Sequence, residues 1–207
     1  MEYDILLSFT GTARQPWWIV PWRASNPPIP RPNSSEKTDP FAPILPLIQP
    51  GTVLDGEVVM HRKLRRPIFI VFDVLALSTT QPILQLPFEQ RLHHLRRASF
   101  RTPTANRDMF DEKDVLDPTV SLPLVRKNFV KRRELDELLS HVVEERGMRT
   151  YRSGTVHNHL TDGIIFQPNL PNVCGTHVNL LKWKYLDTVT IDVELLLPAT
   201  QPLRSQE

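Results

Sequence analysis

The sequence predicts an α+β domain with mainly antiparallel sheets and two or three helices. From Thr52 onward, short runs rich in Val, Ile, Phe and Leu dominate, two segments carry apolar residues at helical spacing, and internal repeats are absent. Ahead of that texture lies a different one. Ten of the twenty prolines fall within residues 1–50, where a fixed φ and missing N–H donors oppose regular pairing, so this stretch reads as an irregular proline-rich arm. Within it, Tyr3 to Phe9 has the composition of a short strand, and Trp17, Trp18 and Trp22 are anchors for packing the arm on a surface.

Val53–Val59 and Ile68–Leu77 are read as strands joined by a charged hairpin over His61–Arg66. Pro87–Ala98 reads as a helix, with proline in the first turn and Phe88, Leu92 and Leu95 on one face. Thr102–Pro118 is polar and acidic and reads as a loop, and Leu122–Val130 resumes as a strand. Arg133–Arg146 sets Leu135, Leu138, Leu139, Val142 and Val143 on one helical face before Gly147, a residue suited to a helix stop. Asp162–Gln167, Val178–Tyr185 and Val189–Leu197 complete the set of strands.

The totals exclude more than they select. A chain of 207 residues with 40% hydrophobic content can bury one core, and a formal charge of +2 is too small to demand a polyanionic partner. A single cysteine, Cys174, rules out an internal disulfide and fits a reducing compartment. The N-terminus lacks a basic signal-peptide region, and Ile68–Leu77 is too short to span a bilayer, so no membrane partner is expected.

Three clusters have the composition of a phosphate-handling site. In Val53-Leu54-Asp55-Gly56-Glu57-Val58-Val59 the two-residue period of a strand puts Asp55 and Glu57 on one face, and Gly56 suggests a ligand pressed against the sheet. A solvent-facing strand edge would look the same. In Lys182-Trp183-Lys184 both ammonium groups share a face while the indole points toward the core, an arrangement that suits a triphosphate lying between the lysines or simply a solvated strand. Asp162 opens the apolar strand Gly163-Ile164-Ile165-Phe166, and Thr190 and Asp192 share a face in Val189-Thr190-Ile191-Asp192-Val193. His157 and His159 read as surface histidines in a loop, since no third ligand accompanies them.

The order of these fragments is more informative than any one of them. Asp55-Gly56-Glu57, then Ile70-Val71-Phe72-Asp73, then Asp162-Gly163-Ile164-Ile165-Phe166, then Lys182-Trp183-Lys184 with Thr190-Ile191-Asp192, resembles the covalent nucleotidyltransferases, and specifically the mRNA capping guanylyltransferases. Asp162-Gly163 in place of Glu-Gly, and the tryptophan between the two lysines, distinguish it from the related ATP-dependent polynucleotide ligases.

The resemblance implies a nucleotidyltransferase (ATP-grasp-like) domain, with antiparallel sheets forming a nucleotide cleft and helices flanking it. It covers residues 51–200 as a partial guanylyltransferase domain, with 201–207 a tail and the family's following oligonucleotide-binding-fold domain expected to be absent. It implies transfer of GMP from GTP, through a lysyl-GMP intermediate, to a 5′-diphosphate RNA end, with Mg2+ or Mn2+ as cofactor. Lys182 and Lys184 would contact the phosphates, Phe72 would stack on guanine, and Lys127 or its neighbour Arg126 would reach the nucleotide. Glu57 would serve the ribose or metal, and Asp162 and Asp192 would support metal and lysine positioning.

Lys37, in Glu36-Lys37-Thr38-Asp39-Pro40, is the candidate nucleophile, although proline replaces the family's glycine and only nineteen residues separate it from Glu57. The same fold without a working nucleophile would be a GTP-binding remnant. The family further implies a nuclear location, with an RNA triphosphatase, a cap methyltransferase or the RNA polymerase II tail as partners.

Overall fold

The computed structural model describes residues 49–96, 108–173 and 175–189, together with two backbone strands at 5–11 and 17–19. Two sheets organise these residues. The five-stranded sheet is built on a long hairpin, β3 (Val53–His61) with β4 (Arg66–Ser78). Strand β2 (Trp17–Ile19) flanks β3, and β5 (Gln81–Pro82) and β6 (Leu124–Arg126) flank β4, β6 being parallel to it. The six-stranded sheet runs in the order β7 (Val130–Lys131), β1 (Ile5–Gly11), β10 (His157–Pro168), β9 (Met148–Ser153), β8 (Val142–Glu145), with β11 (Leu181–Lys184) also paired to β10. Ile5–Gly11 is a strand where Tyr3–Phe9 has strand composition, and it pairs with both β10 and β7, while Trp17–Ile19, within the stretch read as an irregular arm, is also a strand and pairs with Gly56, Asp55 and Leu54.

Strand alternation assigns the layers. Phe69, Val71 and Leu54 pack with Phe88, Leu92 and Leu95 of α1 (Phe88–Arg96), whereas Ile68 and Ile70, one residue out of phase, pack with Val59, Val125, Val156 and Val115 of α2 (Glu112–Leu116). Leu138 of α3 (Leu135–Ser140) meets Tyr151 and Ile164 on the six-stranded sheet.

Three local readings change. The polar segment read as a loop contains α2, which starts because the Asp111 carboxylate accepts from the Lys113 amide at 3.0 Å, capping an orphan N–H. The helix read over Arg133–Arg146 stops at Ser140, and Val142–Glu145 is a strand paired with β9. The β-branched Val142 and Val143 favour a pleated surface, and Arg146-Gly147, with φ of 54° and 73°, makes a two-residue hairpin turn, so Gly147 turns a hairpin instead of stopping a helix. The segment read as one strand over Leu122–Val130 divides into β6 and β7, with Lys127-Asn128-Phe129 between them.

Candidate functional site

A cleft of about 610 Å³ is lined from both sheets. The five-stranded sheet contributes Asp55, Phe72 and Leu75, and the six-stranded sheet contributes Ile165 and Gln167 of β10 with Lys182 of β11. Ile165 lies directly across the ladder from Lys182, so the two face the cleft together. Lys127 and Phe129, between β6 and β7, and the segment Pro171–Val173 close it further.

Phe72 owes its placement to a register break. Asp55 pairs with Asp73 and Gly56 with Val71, which leaves Phe72 as the extra residue of a β-bulge. A bulge re-aims one side chain without ending the strand. Gly56 is needed at this break for internal reasons: a Cβ there would meet the Ile70 carbonyl and the Phe69 ring, so the neighbouring strand, and no ligand, accounts for the glycine. Gly163 has the same role on β10, where a Cβ would overlap the Trp183 carbonyl.

The bulge is held by a buried ion pair that also borders the cleft. Arg91 of α1 donates through Nη2 and Nε to both Asp73 oxygens at 2.7–3.1 Å, and its Nη1 reaches the carbonyls of Leu86 and Leu170 at 2.5 and 3.2 Å. Side-chain exposures of 1% and 6% place this pair wholly inside the protein. Asn172 donates to the same Asp73 carboxylate, tying the Pro171–Val173 wall to the bulge. These residues were not singled out by the sequence pattern, because a helical arginine reads as solvated until its carboxylate partner, 18 residues away, is known.

Of the residues expected at the site, Glu57, Phe72 and Lys127 come together. Lys127 Nζ lies 3.0 Å from Glu57 Oε1 and 5.1 Å from the Phe72 ring centroid. The neighbouring Arg126 is turned the other way, onto Asp108 at 2.7 Å and the Leu95 carbonyl, so of these two basic residues it is Lys127 that lines the cleft. Lys182 also lines it, whereas Lys184 pairs with Asp162 at 2.9 Å, outside the lining. Lys37 and Asp192 lie outside the described residues. Trp183, expected to face the core, is 48% exposed on the edge strand β11 and meets the Tyr185 ring edge-on, because no described layer packs over that face of the strand.

Electrostatics single out Asp55. Burial pushes its carboxyl up to about 6, and the carboxylate of Asp73 opposite adds to the effect while Lys127 and Lys182 oppose it. With Glu57 engaged by Lys127 and Asp162 by Lys184, the described residues offer no group of three or more His, Cys, Asp or Glu side chains placed to hold a metal ion.

His157 and His159 are also displaced from expectation. Both sit in β10, buried beside Tyr151, with ring centroids 5.8 and 5.7 Å from it. Burial holds them neutral, lowering His157 to about 3 and His159 to about 4.

A two-sheet scaffold whose cleft gathers a bulge-presented aromatic, buried acid–base pairs and a lysine on the opposite wall is the kind of site that holds an anionic, ring-bearing ligand. The profile of the family described as mRNA capping enzyme, catalytic domain, matches residues 36–186, and the chain belongs to that family. The mRNA-capping enzyme subunit alpha of Kluyveromyces lactis is 28% identical over 182 residues, covering 83% of this chain and 33% of its own length. Its namesake from Saccharomyces cerevisiae is 29% identical over 160 residues, or 74% of this chain and 31% of that protein, and the Neurospora crassa one is 25% identical over 153 residues, or 71% and 35%. The chain spans about a third of the length of these curated relatives.

Proposed function

We propose that this chain is the guanylyltransferase core of an mRNA capping enzyme, taking GTP into the cleft between the two sheets in a nucleotidyltransferase, ATP-grasp-like arrangement. The observation that carries the reading is the cleft itself: Phe72, raised on its bulge, faces a wall made by Ile165 and Lys182. In this reading guanine lies against the Phe72 ring, the triphosphate extends toward Lys182, and Lys127 and Glu57 meet the sugar side. The family match begins at residue 36 and so takes in Lys37, which is the nucleophile in this reading. Its neutral amine attacks the α-phosphate, the P–O bond to the departing pyrophosphate breaks, and a lysyl-GMP phosphoamide forms. The GMP then passes to a 5′-diphosphate RNA end. Mg2+ or Mn2+ would enter with the nucleotide on its phosphates, as such ions commonly do, with Glu57 and Asp162, each paired to a lysine, within the site. In this reading the work lies in the nucleus, with an RNA triphosphatase acting before it, a cap methyltransferase after it, and the RNA polymerase II tail as a docking partner.

Incubation with GTP labelled on the α-phosphate and Mg2+ or Mn2+ tests the reading. A labelled chain that survives denaturation, lost in Lys37→Ala, is the expected result. GTP binding without an adduct would leave a nucleotide-binding remnant of the same fold, a preference for ATP would point to a ligase core, and neither binding nor adduct would defeat the proposal.

A further inference from the structure

Away from the cleft, at the far end of the β3–β4 hairpin, Arg62, Lys63 and Arg65 are exposed and form no ion pair among the described residues. Arg66, beside them, differs: its guanidinium is spent on the carbonyls of Val115, Asp117 and Val120. A second hairpin tip adjoins the first. Arg62 Nη1 lies 3.7 Å from Met148 Sδ, which brings the β8–β9 turn alongside, where Arg146 is exposed and forms no ion pair among the described residues; the Arg62 amide donates to the Asn158 carbonyl of β10 at 2.7 Å. The carboxylates nearest that turn are already engaged, Glu144 with Arg149 and Glu145 with Arg152. Four cations that form no ion pair among the described residues therefore share one end of the hairpins.

A second, independent observation falls on the same residues. Among the described residues two non-glycine positions have a positive φ, and they are Arg65 at 53° and Arg146 at 54°. Glycine or asparagine would occupy such turn positions at lower conformational cost, and residues held in sparsely populated backbone regions concentrate where a ligand is met. Between the cations, a groove of about 430 Å³ is lined by Val58, Val59, Met60 and Leu160 together with Arg62 and Arg65. Met60 is 56% exposed on its rim. Charged heads around an apolar floor match a ligand that alternates anionic groups with flat apolar ones, as a single strand of RNA does with its phosphates and unstacked bases.

We infer that the paired hairpin tips, through Arg62, Lys63, Arg65 and Arg146, form a surface that binds the body of a single-stranded RNA chain. The inference rests on the capping reading for the identity of the polyanion. Arg62, just past the end of β3, is five residues from Glu57 beside the cleft, a span of roughly 16 Å at the rise of an extended chain, so the surface would meet the transcript several nucleotides from its reacting end.

The test uses the full chain, a fluorescent 20-nucleotide RNA with a 5′-hydroxyl end, and no GTP. The variant is Arg62→Gln, Lys63→Gln, Arg65→Asn, whose asparagine tolerates the left-handed turn. Losing three phosphate contacts should flatten the slope of log affinity against log salt by about 2, a weakening on the order of a hundredfold at 0.1 M salt. An unchanged affinity and slope overturns the inference. So does polyaspartate of equal charge binding as well as RNA with the same dependence on these residues, which would assign the surface to acidic protein. A chain that forms the GMP adduct yet keeps its RNA affinity in the variant sinks the surface alone. One that binds RNA through these residues but forms no adduct upholds the surface and removes catalysis.

Discussion

Replacing Arg91 with methionine should be among the most costly single changes in this protein, and the double variant should cost less than the sum of its parts. The substitution removes five hydrogen bonds: three to Asp73 and one each to the carbonyls of Leu86 and Leu170. What decides the magnitude is the carboxylate left behind. Asp73 is 6% exposed and would keep only the Val74 amide at 2.8 Å and the longer Asn172 contact. Breaking a buried pair from one side costs about 3–5 kcal/mol, and at about 2–4 °C per kcal/mol for a chain of this size the melting temperature should fall by roughly 6–20 °C. Asp73→Asn is milder, because Arg91 retains two carbonyls and an amide oxygen in reach. Residues in direct contact couple by about 0.5–3 kcal/mol, so Arg91→Met with Asp73→Asn should recover that amount relative to additivity. Urea denaturation of the four proteins at pH 7 measures the cycle. Strict additivity, or a single Arg91→Met cost below about 1 kcal/mol, would refute the claim that this pair clamps the bulge.

Other consequences are as accessible. Phe72→Ala should weaken GTP binding by roughly 5- to 150-fold, the range of an aromatic–base stack of about 1–3 kcal/mol, as read by titration calorimetry; undiminished affinity would remove guanine from this ring. An acid whose folded value lies above its unfolded one destabilises the fold once ionised, so Asp55, raised to about 6, costs stability above that pH. Asp55→Asn should accordingly stabilise the chain by about 1–3 kcal/mol at pH 7, and the gain should shrink as pH falls through 6 and vanish near 4 in urea melts. His157 and His159 act with the opposite slope: their folded values, about 3 and about 4, lie below the ordinary histidine value of 6.5, so the stability they contribute is complete above pH 6.5 and drains away toward pH 4. His159→Gln should flatten that acid limb of a stability profile, and an unchanged limb would show that the buried ring is not responsible.

How far the sequence disclosed this arrangement depended on whether the signal was local. The β3–β4 hairpin was legible because Val53–Val59 and Ile68–Leu77 carry strand composition around a charged turn, and α1 because Phe88, Leu92 and Leu95 repeat at helical spacing. Val142 and Val143 misled because their spacing continues the helical stripe of Leu135, Leu138 and Leu139, while their branching and the Arg146-Gly147 turn obey the strand. His157 and His159 read as loop residues because nothing nearby announces that β10 begins six residues before its apolar run. The motif order picked out Phe72, Lys127 and Lys182, which line the cleft, and Glu57 beside them. Arg91 and Asn172 escaped because their significance lies in a shared contact with Asp73, and that is a property of the fold.

The pairing of β1 with β10 sets a clock on biosynthesis. Ile5 meets Pro168 and Gly11 meets Thr161, so once β1 has left the ribosome it finds its long partner only after some 150 further residues have been made. At roughly 5–20 residues per second that is a wait of about 8 to 30 s, during which the β3–β4 hairpin and α1 can already have closed around Phe69 and Leu92. The sheet that carries Lys182 and Ile165 is thus the late half of the molecule, and a nascent chain arrested before residue 161 would hold one wall of the cleft without the other.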